Sequence, residues 1–124
     1  MKKFWHQLKL PIAFAIWFTS ILLSLSAQAD STASLLLSLT CNNSQVQVWK
    51  NRSSGTYLYR SQGSNGNLKI NRGTRQRTEG VTVYKFRNGS YQYWVWDGSL
   101  DSKDRGRVEV YRGNRLVQGT NCYK

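Results

Sequence analysis

Histidine is almost missing from this chain. Its one copy, His6, lies within the first ten residues, so nothing after it can supply an imidazole to a triad, a general base or a metal. Carboxylates are scarce too: Asp30, Glu79, Asp97, Asp101, Asp104 and Glu109 stand against eighteen lysines and arginines. A glycosidase needs two carboxylates across a cleft, and Glu79 with Asp97 is the one pair that strand pairing could bring face to face. Surface acids paired with the surrounding cations are the simpler account of both. Three of the acids fall in DGSLDSKD, Asp97 to Asp104, but the spacing fits no EF-hand loop and Lys103 and Arg105 stand among them. Neither a metal nor a cofactor is expected, and the chain reads as a non-enzyme. Proline occurs once, at Pro11, and helical apolar periodicity is absent after Asp30, which excludes a helix bundle.

Long apolar runs are also lacking, with one exception at the start. PIAFAIWFTSILLSL comes after the basic MKKFWHQLK and precedes SAQA, where Ala27 and Ala29 flank Gln28. This pattern predicts a secretory signal peptide over residues 1–29, and hence a periplasmic or extracellular protein. An uncleaved anchor is the alternative, because Leu8 to Ala27 is just long enough to span a bilayer. A lipid-modified cysteine is excluded, since Ser38, Leu39 and Thr40 precede Cys41 where a small residue would be needed.

Residues 30–124 are enough for one small domain with a limited core. This segment holds fifteen cations, ten of them arginine, against the six carboxylates, a charge of about +9. Such a field favours anionic polymers, anionic surfaces or an acidic protein as partners and says nothing about fold. Cys41 and Cys122, near the two ends of this domain, are expected to form one disulfide in an oxidising compartment.

The remaining pattern is short alternating runs divided by Gly, Asn and Ser. The runs are Ser34 to Cys41, Gln45 to Lys50, Thr56 to Arg60, Asn67 to Asn71, Gly80 to Arg87, Ser90 to Asp97, Arg107 to Arg112 and Arg115 to Cys122. They predict an all-β domain: a small antiparallel barrel, or barrel-like sandwich, of seven to eight short strands closed by the disulfide. The first run would lie beside the last. Two turns predict register. Around Asn88-Gly89 a type I′ turn would pair Phe86 with Tyr91, Tyr84 with Tyr93, Val83 with Trp94 and Val81 with Trp96. Around Gly113-Asn114 the same reasoning pairs Tyr111 with Leu116 and Val110 with Val117.

This register divides the aromatic hairpin YKFRNGSYQYWVWDGSL into two faces. Tyr84, Phe86, Tyr91, Tyr93 and Val95 share one; Val81, Val83, Lys85, Gln92, Trp94 and Trp96 share the other. Three arrangements remain open: the tyrosine face as core, with Trp94 and Trp96 outside beside Lys85; the reverse; or both faces covered. The first would make a cationic and aromatic platform suited to sugar rings or bases. Arginine-rich clusters supply further candidates for an acidic ligand: Arg72, Arg75 and Arg77 in NRGTRQRTEG, Arg105 and Arg107 after the acidic loop, and Lys85 and Arg87 along the hairpin. Asn42, Asn51 and Asn88 match the glycosylation sequon, which carries meaning only for a eukaryotic source.

The segments LTCNNSQVQVW, EGVTVY, YWVWDGSL and TNCYK, in this order and with these cysteines, resemble the periplasmic and membrane-bound inhibitors of C-type lysozyme. The resemblance spans nearly all of residues 30–124 and implies a small secreted β-barrel. It implies less about inhibition, because Glu79 precedes Gly80, Tyr84 falls one position late, and Asp97 stands where that family carries lysine. The chain also looks like small secreted cyanobacterial proteins of unassigned role. The expected function is therefore a non-enzymatic, monomeric binding module for an anionic polysaccharide, cell-wall polymer or similar acidic surface. A hydrolase inhibitor with altered inhibitory residues is the alternative, and an uncharacterised secreted scaffold is the residual case; nucleic acid is a poor fit for an exported protein.

Overall fold

A computed structural model describes residues 32–64 and 66–124; the expected signal peptide lies outside them. Eight strands succeed one another: β1 (Ala33–Thr40), β2 (Ser44–Asn51), β3 (Tyr57–Gly63), β4 (Gly66–Thr78), β5 (Val81–Asn88), β6 (Tyr91–Asp97), β7 (Arg105–Arg112) and β8 (Arg115–Tyr123). Each pairs antiparallel with the next, and β8 returns to β1, so the sheet is a closed all-β barrel. The alternation of apolar and polar residues is the cause. Leu37, Leu39, Val46, Val48, Tyr59, Ile70, Tyr84, Phe86, Val95 and Val108 point inward and form one core. At its centre the Tyr59 ring lies 5.4 Å from both Phe86 and Tyr93.

Closure is asymmetric. Seven strand interfaces are laddered along most of their length, whereas β1 meets β8 through the single pair Thr40↔Tyr123. The Cys41–Cys122 disulfide, with Cα atoms 4.4 Å apart, is the next link in that seam. Both sulfurs are buried. Such a bridge persists in oxidising surroundings and so fits a protein outside the cytoplasm.

Three expectations need correction. First, the run Asn67 to Asn71 does not end at Asn71: as β4 the strand continues through Arg72, Gly73 and Thr74 to Thr78, thirteen residues in all. The strand pairs with β3 up to Gly73 and with β5 from Gly73 onward. Gly73 makes this exchange possible, because the Phe86 ring packs where a Cβ would stand. Second, the register of the aromatic hairpin is shifted by two residues, with Asn88↔Tyr91, Phe86↔Tyr93, Tyr84↔Val95 and Val83↔Trp96 as pairs. Gly89 is the first central residue of the turn and the only one there with positive φ, as in a II′ rather than a I′ turn. A shift of two preserves the side-chain period, so the division into faces stands. Third, Tyr111 does pair with Leu116, but Val110 faces Gln118, because a bulge takes up Val117.

The tyrosine face is the inner one: Tyr84, Phe86 and Val95 are 5%, 2% and 0% exposed. Tyr91 alone escapes, at the rim of the turn. Yet Val83, on the opposite face, is also 0% exposed. Its cross-strand neighbour is Trp96, so the outside of the hairpin carries a small apolar layer of its own.

Candidate functional site

Registers from β5 to β8 place the outer side chains in rows. Val83, Trp96, Arg107 and Asn121 form one row, and Lys85, Trp94, Glu109 and Gly119 the next. Gln92 and Tyr111 are paired beyond them. Trp94 lies at the centre, with the Lys85 ammonium 3.8 Å from its ring centroid, Tyr111 at 4.6 Å and Trp96 at 6.4 Å. The indole N–H of Trp94 donates to Gln92 Oε1 at 3.1 Å.

Glu109 ties the other end together. Its Oε1 accepts from the Trp96 indole at 2.6 Å and from the Tyr111 hydroxyl at 3.2 Å, and its Oε2 pairs with Arg107 Nε at 3.1 Å. Arg107 also donates to Asn121 Oδ1 at 2.9 Å. Burial first, and then the Glu109 carboxylate, push the Tyr111 hydroxyl above its ordinary pKa. The result is a platform of half-buried rings whose orientations are set by hydrogen bonds, so a ligand would meet a surface that is already ordered.

Two shallow depressions border it. One, of about 310 Å³, lies over β4 and β5 and is lined by Arg72, Thr74, Lys85, Arg87 and Gln92. Arg72 and Arg87 are brought together on the outside, since their neighbours Gly73 and Phe86 are an inward-facing pair. Among the described residues, no carboxylate pairs with Arg72, Lys85 or Arg87. The other depression, of about 350 Å³, is lined by the apolar Val81, Trp96 and Leu100 and the charged Arg105, Arg107, Glu79 and Glu109.

Of the residues expected to bind, Arg72, Lys85, Arg87, Trp94, Trp96 and Arg107 therefore share the outer face of the barrel. Arg75 and Arg77 do not. They take the alternate positions of β4, whose side chains turn to the opposite side of the sheet. Arg77 donates to Gly80 O at 3.0 Å and Thr82 Oγ1 at 3.4 Å, and Arg75 is engaged with the Tyr84 hydroxyl. Burial raises the pKa of that hydroxyl, with the Arg75 hydrogen bond opposing it and Asp97 adding to the rise. Arg105 sits at the end of the barrel, 5.8 Å from the Tyr123 ring centroid.

Glu79 is exposed in the β4–β5 turn, whereas Asp97 binds the Lys124 ammonium at 2.6 Å. No three metal-ligating side chains converge among the described residues.

Sequence reasoning misses Glu109, Tyr111 and Asn121. Alternation in VEVYR does set Glu109 and Tyr111 opposite the inward valines. What it lacks is the partner, because the loop from Gly98 to Asp104 is too long to transmit register from β6 to β7. Comparison with protein-family models, curated proteins and solved structures finds no match to this chain.

Proposed function

We propose that this protein is a non-enzymatic binding module of the periplasm or cell exterior that holds an anionic polysaccharide or cell-wall polymer on the outer face of β4–β7. One observation carries the reading: Arg72, Lys85 and Arg87 converge with no carboxylate among the described residues beside them, at the edge of the ordered rings Trp94, Tyr111 and Trp96. Like charges held together on a sheet are costly without a counterion, and an anionic group supplied by the ligand removes that cost. The rings present apolar faces and edges to sugar C–H groups. From Arg87 to Val81 the strand runs about 20 Å, at roughly 3.3 Å per residue, so several sugar units fit between the two depressions.

Alginate as the anionic probe and dextran as the neutral one test this. Alginate retention should fall steeply with salt, and dextran should not be retained. The Arg72→Ala/Arg87→Ala double variant should weaken alginate binding about tenfold or more, at 1.4 kcal/mol per decade. Arg75→Ala/Arg77→Ala, altered on the other side of β4, should change it far less. Salt-independent retention, or equal losses in the two double variants, would refute the assignment.

A second reading, a protein inhibitor of an acidic hydrolase, draws on one observation. The β4–β5 turn of EGVTVY and the loop after YWVWD line the same depression, with Glu79 and Leu100 at its border. Stoichiometric loss of hydrolase activity on mixing, abolished by Leu100→Asp, would support it over glycan binding.

A further inference from the structure

The barrel has a third concave site, at the end opposite the 350 Å³ depression. It is a cavity of about 390 Å³ opening between the β1–β2 turn, the β3–β4 turn and the free side of β8. Its existence stems from the incomplete seam. Because β8 reaches β1 only at Thr40↔Tyr123, its residues from Arg115 to Asn121 have β7 on one side and no described strand on the other. The interior is therefore open to solvent there. Two inward side chains, Tyr93 and Val110, are only half-buried and line the opening, with the buried Val46 and Val108 beside them.

Its chemistry differs from that of the rest of the surface. In a chain with eighteen lysines and arginines, no charged side chain is among the described residues lining this cavity. The deep part is apolar and aromatic: its floor is the half-buried Tyr93 ring, which is backed by the buried Tyr59 with centroids 5.4 Å apart. The rim consists of amides and hydroxyls, including Asn43, Ser61, Asn67, Gln118 and Thr120. Such groups both donate and accept hydrogen bonds, as the hydroxyls of a sugar do, and neither part offers a counter-charge to an acid. A volume near 390 Å³ lies at the lower end of the range for small-molecule pockets, about 300–1,000 Å³.

We infer that this mouth is a binding site for a neutral sugar residue, its apolar face against Tyr93 and its hydroxyls on the amide and hydroxyl rim. The site is independent of the cationic outer face in both residues and charge. If both are used, one molecule holds an acidic chain on its wall and an uncharged sugar unit in its mouth.

The experiment is an amide-resolved NMR titration of the folded protein with glucose, galactose, N-acetylglucosamine and glucuronate. At least one neutral sugar should shift the amides of Ser61, Asn67, Gln118 and Thr120 while leaving those of Lys85, Arg87 and Trp94 in place. Single sugar units should bind with dissociation constants of about 1–10 mM. Gln118→Trp, at an exposed position of β8, should plug the mouth and weaken binding at least about tenfold. Arg72→Ala/Arg87→Ala should leave it unchanged, which separates failure of this site from failure of the outer face. The inference is overturned if no neutral sugar shifts the mouth at about 50 mM, if glucuronate shifts it as strongly as glucose, or if Gln118→Trp binds like the parent.

Discussion

Removing the disulfide should cost this barrel about as much as its costliest single core substitution. Cys41 and Cys122 are 81 residues apart in sequence, and closing a loop of that length restrains the unfolded chain by about 4.5 kcal/mol at 25 °C on the chain-entropy account. The folded side adds to the expectation. Only Thr40↔Tyr123 joins β1 to β8, so little else holds the seam once the bridge is gone. A domain of this size has a total stability of about 5–15 kcal/mol, so the Cys41→Ala/Cys122→Ala variant should be marginal. Urea unfolding monitored by tryptophan fluorescence would measure it. The midpoint should fall by the equivalent of about 4–5 kcal/mol, and Tm by about 20–35 °C. Hydrogen exchange should show where the loss begins: protection should fall first along the second half of β8 and at Thr40, while the ladders β2–β3 and β5–β6 hold. A loss below about 1 kcal/mol, or an even loss of protection around the barrel, would refute the claim that the bridge carries the closure.

Two more outcomes rest on local chemistry. Glu79 has φ of 53° in the turn before Gly80, a left-handed conformation that costs most residues about 1–2 kcal/mol but is tolerated by asparagine. Glu79→Asn should therefore raise stability by up to about 1 kcal/mol in the same urea assay, and a decrease would contradict the strain argument. Burial raises the pKa of Tyr59 and Tyr84 in the folded state, so between the ordinary tyrosine value near 10 and the raised one the folded state keeps protons that the unfolded state loses. Stability should fall as pH rises above about 10, with the fall smaller in Tyr59→Phe; a midpoint that is flat or rising from pH 9.5 to 11 would contradict the assignment.

Particular residues show where sequence reading succeeds and where it stops. Centring the hairpin turn on Asn88-Gly89 rather than Gly89-Ser90 puts the register out by two residues. Trp94 and Trp96 still share one face, because a two-residue error leaves a period of two intact. Arg72, Arg75 and Arg77 read as one cluster, but they are divided between the two sides of β4, because the segment is strand rather than turn. The exchange of partners at Gly73 depends on a ring thirteen residues away, Phe86, which no local pattern reveals. Glu109 is recognisable as outward-facing from alternation; its grip on Trp96, Tyr111 and Arg107 is not.

Local pattern and composition are thus enough for the all-β class, the bridging cysteines, the strongly basic charge and the two faces of the aromatic hairpin. These are set by alternation, turn chemistry and residue counts, which act over a few residues or over the whole chain at once. Which face turns inward, which cations share a surface with Trp94, and the barrel's staying open at one mouth are settled by the assembled fold. Those depend on how far each strand is staggered against its neighbour. Stagger accumulates around a closed sheet until β8 meets β1 at a single pair, and that sum belongs to all eight strands together.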